Sequence, residues 1–283
     1  MEAHQHGLAQ DLERLLEMRS DRRASLRWLL AGAASLPLLP LAACGGGEVT
    51  ASSTGTSTGT STGDSGSSAC AVIPEETGGP YPGDGTNSNG SGIVNVLTMS
   101  GIVRRDITTS INGASGVALG IPLTIKLKIN NAKTSCASAS GFAVYLWHCD
   151  RDGNYSLYSS GVTNQNYLRG VQEADAAGEL SFSTIVPGCY AGRIPHVHFE
   201  VYPSLARSTS AQNRVKTSQF TFPMAMLNEA YTHSGYSTSV RNLAQISYAT
   251  DNVFSDGTTL QMVSVTGNAT DGYVATLTVN VSA

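Results

Sequence analysis

Residues 187–199 read PGCYAGRIPHVHF, a turn that leads into the start of a strand. Side chains alternate between the two faces of a strand, so His196 and His198 share one face. Val197 and Phe199 lie on the other face, where apolar side chains are expected to pack in a hydrophobic core. The segment therefore predicts a strand with one face in the core and one face that carries polar chemistry.

Further strands are predicted on both sides of this segment. Residues 123–129 alternate apolar and polar side chains, as a half-buried strand does, and residues 142–148 form an apolar run typical of a central strand. Other predicted strands span residues 180–186, 197–202, 219–222, 259–265 and 273–281, with a hairpin turn at 268–272 and one short helix at 223–231. Many short strands joined by glycine-rich connections predict an all-β fold, a β-sandwich of mostly antiparallel strands with long loops and little helix.

Composition excludes several classes of protein. The chain has 283 residues, of which 13% are charged, and its formal net charge is −4. This balance argues against a strongly basic nucleic-acid-binding protein, so no nucleic-acid partner is expected. The longest apolar run is interrupted by prolines and is too short for a membrane span.

The first residues have the features of an export signal. Arg22 and Arg23 precede an apolar segment, residues 28–43, which ends LAAC at Cys44. A basic region, an apolar region and small residues at a cleavage site define a secretory signal, and paired arginines are typical of the twin-arginine route. The ending resembles a bacterial lipobox, which predicts an exported lipoprotein, periplasmic or on the cell surface, anchored by a lipid on Cys44. The alternative is a plain signal peptide in which this cysteine is incidental.

Composition divides the rest of the chain into two parts. Residues 45–69 are almost entirely Gly, Ser and Thr, a composition that cannot bury a core and behaves as a flexible linker. Residues 70–283 suffice for one folded domain. The predicted organisation is a signal segment at 1–44, a linker at 45–69 and a β-sandwich domain at 70–283.

Four cysteines remain for disulfide formation when Cys44 is lipidated. An even number of cysteines in an oxidising compartment predicts up to two disulfides. A bond between Cys136 and Cys149 is disfavoured because these residues bracket one extended strand. The other pairings, with Cys70 and Cys189, stay open.

A metal site is the chemistry that this sequence indicates most directly. Two histidines on one strand face can hold one ion, but the same pair occurs in copper, zinc and non-haem iron sites. Two tyrosines extend the set: Tyr190 lies on the turn before His196, and Tyr155 follows the predicted strand 142–148. A phenol binds well only when a strongly Lewis-acidic cation displaces its proton. Zinc prefers His, Cys and carboxylates, so two phenols and two imidazoles favour Fe(III).

Six sequence blocks occur in order along the domain. They are PEETGGPY at 74–81, GIPL at 120–123, WHCD at 147–150, GNYS at 153–156, LRGVQ at 168–172, and PGxY with RxxHxH at 187–198. Together they resemble the intradiol ring-cleavage dioxygenases, the family of protocatechuate 3,4-dioxygenase and catechol 1,2-dioxygenase. The resemblance extends from about Cys70 to at least Tyr202, and the cysteines resemble those of exported branches of the family.

The resemblance implies a fold, a cofactor and a reaction. It implies a β-sandwich with one non-haem Fe(III) held by Tyr155, Tyr190, His196 and His198. The implied substrates are a catechol-type aromatic diol and O2, and the ring opens between the two hydroxyl-bearing carbons to give a cis,cis-muconate. Tyr190 is implied to be the ligand that the substrate displaces, and Arg193 to stabilise negative charge on the substrate. No organic cofactor is required.

Two alternatives compete with this interpretation. One is a non-catalytic β-sandwich surface lipoprotein that binds a metal or an aromatic ligand, and the other is a copper or zinc enzyme that uses the His-x-His pair. The interval from Tyr190 to His196 is shorter than in classical members of the family, which leaves substrate size open. The sequence also leaves the oligomeric state and the natural catechol open.

Three other residues receive supporting roles. His148 is expected to be structural rather than a further metal ligand. Arg169 is expected to brace a turn, with Asp175 as its candidate partner. Tyr81 is expected either to line a substrate pocket or to pack the loop in which it lies.

Overall fold

The computed structural model describes residues 70–283. The predicted signal segment, the Cys44 anchor and the linker at 45–69 lie outside the described residues and stay predictions. In the described part of the chain, no helix is long and apolar enough to cross a membrane.

Short strands and loops make up most of this domain. The strands are β1 Asp84–Ser88, β2 Ile93–Asn95, β3 Pro122–Asn131, β4 Ala137–Ser138, β5 Ala143–Trp147, β6 Arg169–Glu173, β7 Glu179–Ile185, β8 His196–Tyr202, β9 Lys216–Thr221, β10 Ser264–Asn268 and β11 Gly272–Val281. Between residues 70 and 283 two α-helices occur, α1 Met224–Ala230 and α2 Ser237–Leu243, each seven residues long.

Two sheets form the framework. The first has the strand order β6-β5-β8-β9, and all its neighbouring strands are antiparallel. The second has the order β10-β11-β3-β4, with β7 also pairing with β3. In the second sheet β11 runs parallel to β3, whereas the pairs β10–β11, β3–β4 and β3–β7 are antiparallel. Strands β1 and β2 form a separate small sheet.

The apolar faces of the two sheets meet in one core. Alternate residues of β3, including Ile125 and Ile129, are completely buried in a cluster that also contains Val197 and Phe199 of β8. Because side chains on a strand alternate in direction, β8 turns its other face, with His196 and His198, away from this core. That face is covered by loops, so every residue of β8 is buried. The predicted all-β sandwich is confirmed.

The C-terminal half differs from the sequence prediction in two elements. The hairpin turn at 268–272 is present, but its first strand begins at Ser264 rather than at residue 259. The amides of Gln261 and Met262 both donate to the carbonyl of Thr258, which makes this segment a turn. Helix α2 was not predicted because its buried side is polar: Ser239 accepts a hydrogen bond from the amide of Cys189.

One disulfide is formed among the described cysteines. It joins Cys70 to Cys136, with the Cα atoms 5.7 Å apart. Cys149 and Cys189 are buried free thiols. Their sulfur atoms lie near backbone carbonyls, at 3.5 Å from Gly188 and 3.4 Å from Arg193 respectively. The start of the described domain is therefore tied to the loop after β3.

Candidate metal centre

Strand β8 places the two histidines side by side. His196 and His198 are 1% and 3% exposed, and their Nε2 atoms are 3.1 Å apart. His198 is opposite Trp147 of β5 on one side and Gln219 of β9 on the other. Because both neighbouring strands are buried, the sheet holds the two imidazoles rigidly.

Two tyrosines from separate loops complete the cluster. The phenol oxygens of Tyr155 and Tyr190 lie 3.4 Å and 3.3 Å from Nε2 of His196. Tyr155 is buried, whereas Tyr190 is half-buried. The structure thus brings the four predicted ligand atoms into one group, with one of the two phenols nearer to solvent.

The loop that carries Tyr155 is shaped by Asp150. One carboxylate oxygen of Asp150 accepts hydrogen bonds from the amides of Asp152 and Asn154, at 3.0 Å and 2.9 Å. Gly153 has a φ of +88°, and a Cβ there would lie 3.0 Å from Cβ of Tyr190. A side chain at this position would be strained and crowded, so glycine lets the two tyrosine loops approach each other.

Hydrogen bonding and burial set the protonation of the cluster. Nδ1 of His196 lies 2.5 Å from the carbonyl oxygen of Ile194, so it carries the proton and donates to that oxygen. Nε2 of His196 is therefore a lone-pair donor that faces the phenols. Burial lowers the pKa of both histidines and keeps them neutral, while burial raises the pKa of the Tyr155 phenol.

Arg193 supplies a buried positive charge beside the cluster. It is 7% exposed. Its Nε donates to Asp251 at 2.9 Å, and its Nη2 donates to Gln219 at 2.7 Å. Burial acts to lower the pKa of Arg193, but Tyr190 and Asp251 outweigh it and raise that pKa, so the guanidinium stays charged.

Aromatic rings and the PEETGGPY segment enclose the cluster. The imidazole of His198 stacks on Trp147, and a Cβ at Gly79 would lie 3.4 Å from Cε1 of His198. The ring of Tyr81 is 5.0 Å from that of Tyr155. The site is therefore built from the outer face of one sheet and the loops that cover it.

The donor set suits Fe(III) better than zinc. Within residues 70–283 no group of three or more His, Cys, Asp or Glu side chains is placed to hold a metal ion. The cluster instead offers two neutral imidazoles and two phenols, and phenols become good ligands only for a cation acidic enough to remove their protons. The residues present fit a ferric ion.

Similarity to known proteins lies at the level of structure. Neither a protein-family model nor a curated protein sequence matches this chain. Its fold is similar to that of an intradiol ring-cleavage dioxygenase from Tetranychus urticae, with a TM-score of 0.57 and 21% identity over 75% of this chain and 95% of that one. This chain has the fold of the intradiol ring-cleavage dioxygenases. A weaker likeness is to the dioxygenase domain of a dioxygenase and carbohydrate-binding fusion from Streptomyces sp. SirexAA-E, with a TM-score of 0.47 and 22% identity over 75% of this chain and 99% of that one. Another is to 3-chlorocatechol 1,2-dioxygenase from Rhodococcus opacus 1CP, with a TM-score of 0.44 and 14% identity over 74% of this chain and 72% of that one.

Within this intradiol dioxygenase fold, the supporting residues take distinct places. His148 lies apart from the four ligand atoms, because its ring nitrogens bond the Cys149 carbonyl and the Thr184 hydroxyl, each at 2.7 Å. Arg169 does brace a turn, but its partners are the loop at Tyr81 and the hydroxyl of Tyr145 rather than Asp175. Asp175 instead accepts hydrogen bonds from two amides of its own turn.

Two residues beside the four-residue cluster were not predicted from the sequence. Gln219 lies opposite His198 in the sheet. The sequence predicts a strand at 219–222, and if Phe220 faces the core, alternation places Gln219 on the opposite face, the one that carries His198. Asp251 is 58 residues from its partner Arg193 and lies in a loop without a motif. No local pattern links the two.

Proposed function

We propose that this protein is a non-haem Fe(III) intradiol dioxygenase that cleaves a catechol-type aromatic diol with O2. The observation that carries the proposal is the convergence of four ligand-type atoms, from Tyr155, Tyr190, His196 and His198, beside the buried cation of Arg193. The intradiol dioxygenase fold supports it independently. Ring opening between the two hydroxyl-bearing carbons would give a cis,cis-muconate-type product that contains both atoms of O2.

The four residues of the cluster would hold the ferric ion. When bound there, Fe(III) would supply a Lewis acid for the two oxygens of the diol and would make the aromatic ring reactive towards O2. Tyr155 is the buried phenol and is suited to remain a ligand. Tyr190 is half-buried, so it is the phenol that an incoming diol would replace. Its phenolate oxygen would then accept a proton from one hydroxyl of the diol.

Arg193 would stabilise the substrate electrostatically. A fixed cation in a water-poor site lowers the energy of negative charge that develops on a bound substrate. The guanidinium is buried and already oriented by two hydrogen bonds, so little reorganisation is needed when substrate charge appears. We assign it to the stabilisation of a carbanion-like diol ring.

We also propose that the enzyme works outside the cytoplasm, anchored to a bacterial membrane through a lipid on Cys44. The arginine pair and the LAAC ending in the sequence support export and lipidation. The disulfide between Cys70 and Cys136 is a bond that persists in oxidising compartments.

A visible absorption spectrum tests the proposed activity. The protein is purified with ferric iron and titrated with catechol under air. We expect a broad phenolate-to-iron band that shifts when catechol binds and recovers as a muconate product accumulates. A colourless protein that contains zinc, copper or no metal would contradict the proposal and favour the metal-binding or aromatic-binding alternative.

Substitution of the ligands tests the assigned set. We expect Tyr155→Phe and His198→Ala to lose the visible band and retain little iron. Tyr273→Phe is the matched control, because this buried tyrosine lies on β11 in the other sheet. If Tyr155→Phe binds iron and turns over catechol as the unmodified protein does, the ligand set is wrong.

A further inference from the structure

Asp251 is a buried carboxylate that joins two loops at the edge of the metal centre. Its side chain has no exposed surface. One oxygen, Oδ2, accepts hydrogen bonds from Nε of Arg193 at 2.9 Å and from the amide of Ile194 at 2.8 Å. The other oxygen accepts from the amides of Val253 and Phe254, at 2.8 Å and 3.1 Å. Four donors therefore hold this carboxylate in one orientation.

Asp251 also determines which donors of Arg193 remain available. The bonds to Asp251 and Gln219 use Nε and Nη2. The Phe254 ring packs over the guanidinium, with its centroid 5.9 Å from Cζ. Toward the described residues, 70–283, Nη1 makes no hydrogen bond, since the bonds of this guanidinium run from Nε and Nη2. Nη1 is thus left as a donor on a cation that Gln219 holds next to the strand position of His198.

We propose that Asp251 is a positioning residue for the ring-cleavage reaction, one that locks Arg193 so that its unused N–H groups and its charge point at substrate bound in the metal centre. The proposal rests on the function proposed above. A free arginine side chain samples many rotamers, and ordering it during reaction costs free energy. The bond from Asp251 to the Ile194 amide holds the backbone just before His196 as well, so both the cation and a metal ligand keep fixed positions.

A double-substitution cycle separates positioning from general structural support. The four proteins are the unmodified enzyme, Asp251→Asn, Arg193→Ala and the double variant, each loaded with iron and assayed with catechol. Asparagine keeps the shape of Asp251 but removes its charge and turns an N–H group towards one pair of donors. In the protein that retains Arg193, we expect Asp251→Asn to lower kcat on the order of tenfold or more. In the Arg193→Ala background we expect almost no further loss.

Nitrogen-15 relaxation of the Arg193 Nε–H group provides a readout that needs neither metal nor turnover. In the metal-free unmodified protein we expect a rigid, slowly exchanging Nε–H signal. In Asp251→Asn we expect a mobile signal that exchanges at least several times faster. Asp175→Asn is the control, because Asp175 also accepts hydrogen bonds from two backbone amides in a turn. Asp175 follows the end of β6 that pairs with Ala143, whereas Trp147 pairs with the other end of β6. Asp175→Asn should leave both kcat and the Arg193 signal unchanged.

The outcomes distinguish this proposal from the proposed function. Equal losses of kcat from Asp251→Asn in both backgrounds would show that the residue acts through the fold alone and would overturn the positioning role. A rigid Arg193 signal in Asp251→Asn would overturn it as well, whatever the kinetics. If the unmodified protein cleaves no catechol, the proposed function fails on that measurement, while the relaxation experiment still decides whether Asp251 immobilises Arg193.

Discussion

The imidazole of His198 lies parallel to the indole of Trp147, with ring centroids 4.9 Å apart and an interplanar angle of 4°. Tyr145 stacks on the same indole, with centroids also 4.9 Å apart. All three rings are buried, and Trp147 is paired with His198 in the sheet. This stack fixes the plane of the imidazole and therefore the direction in which its Nε2 lone pair points.

Removal of the stack should weaken iron binding. Hydrogen-bonded neighbours that orient a metal-ligating histidine raise metal affinity, and their loss reduces it by about 10- to 100-fold. A stacked ring constrains the same imidazole, so we take the lower end of this range for the indole. We expect Trp147→Leu to lower ferric affinity by at least about tenfold, whereas Trp147→Phe retains an aromatic face and most of the affinity. Chelator competition measures the affinity, and circular dichroism confirms that both variants are folded. Equal affinity in the two variants would contradict an orienting role for the indole.

Acid should destabilise the protein partly through His148. Burial lowers the pKa of this side chain from 6.5 to about 4, so the unfolded state takes up the proton at a higher pH than the folded state. The contribution of His148 to stability is complete above pH 6.5 and is lost as pH falls towards 4, by at most about 1.4 kcal/mol per pH unit. Denaturant unfolding of the unmodified protein and of His148→Gln, at several values of pH, measures this slope.

The variant carries no titrating group at this position, so its stability should fall less steeply between pH 6.5 and 4. Carboxylates and the other buried histidines titrate in both proteins, and the comparison therefore isolates the one imidazole. Parallel slopes would mean that His148 does not resist protonation in the folded state.

Arg169 should be sensitive even to a conservative substitution. It is 1% exposed, and its guanidinium donates to backbone carbonyls of Tyr81, Pro82 and Ser156 and to the hydroxyls of Tyr145 and Ser156. Lysine cannot reproduce this planar fork of donors. We expect Arg169→Lys to lower the free energy of unfolding by about 2–4 kcal/mol, measured in denaturant.

The control for this prediction is Arg214→Lys. Arg214 is 39% exposed in its side chain and approaches Glu200 at 3.8 Å, and such partly exposed pairs contribute at most about 1 kcal/mol. A similar loss in the two variants would show that burial and hydrogen bonding of Arg169 do not determine its contribution.

The Cys70–Cys136 disulfide should contribute much of the stability of the domain. It closes a loop with a sequence separation of 66 residues, for which loop-closure entropy predicts about 4 kcal/mol. We expect Cys70→Ser to lower the free energy of unfolding by roughly this amount. Reducing agent should lower the stability of the unmodified protein to the level of the variant and leave the variant itself unchanged. If reducing agent also lowers the stability of Cys70→Ser, a second redox-sensitive bond contributes to the stability of the domain.

The sequence was sufficient to predict the sandwich and the four side chains that the structure brings together, those of Tyr155, Tyr190, His196 and His198. The alternation of apolar and polar side chains in residues 123–129 and around His196 indicates which face of each strand meets the core. This signal is local, because side-chain direction follows from backbone geometry alone. The strand at 259–265 was misplaced since a turn at Thr258 and a strand contain similar residue types, and their difference lies in backbone hydrogen bonds.

By itself, the sequence determined the alternation that places His196 and His198 on one face and the residue types that favour a ferric ion. Only the tertiary structure decided that Asp251 holds Arg193, that Trp147 orients His198 and that Cys70 pairs with Cys136. These partners lie far apart along the chain, and their contacts depend on how loops cross the sheet. Local conformational preference carries no information on such contacts, because each joins residues from separate loops and strands that only the packed sheets bring together.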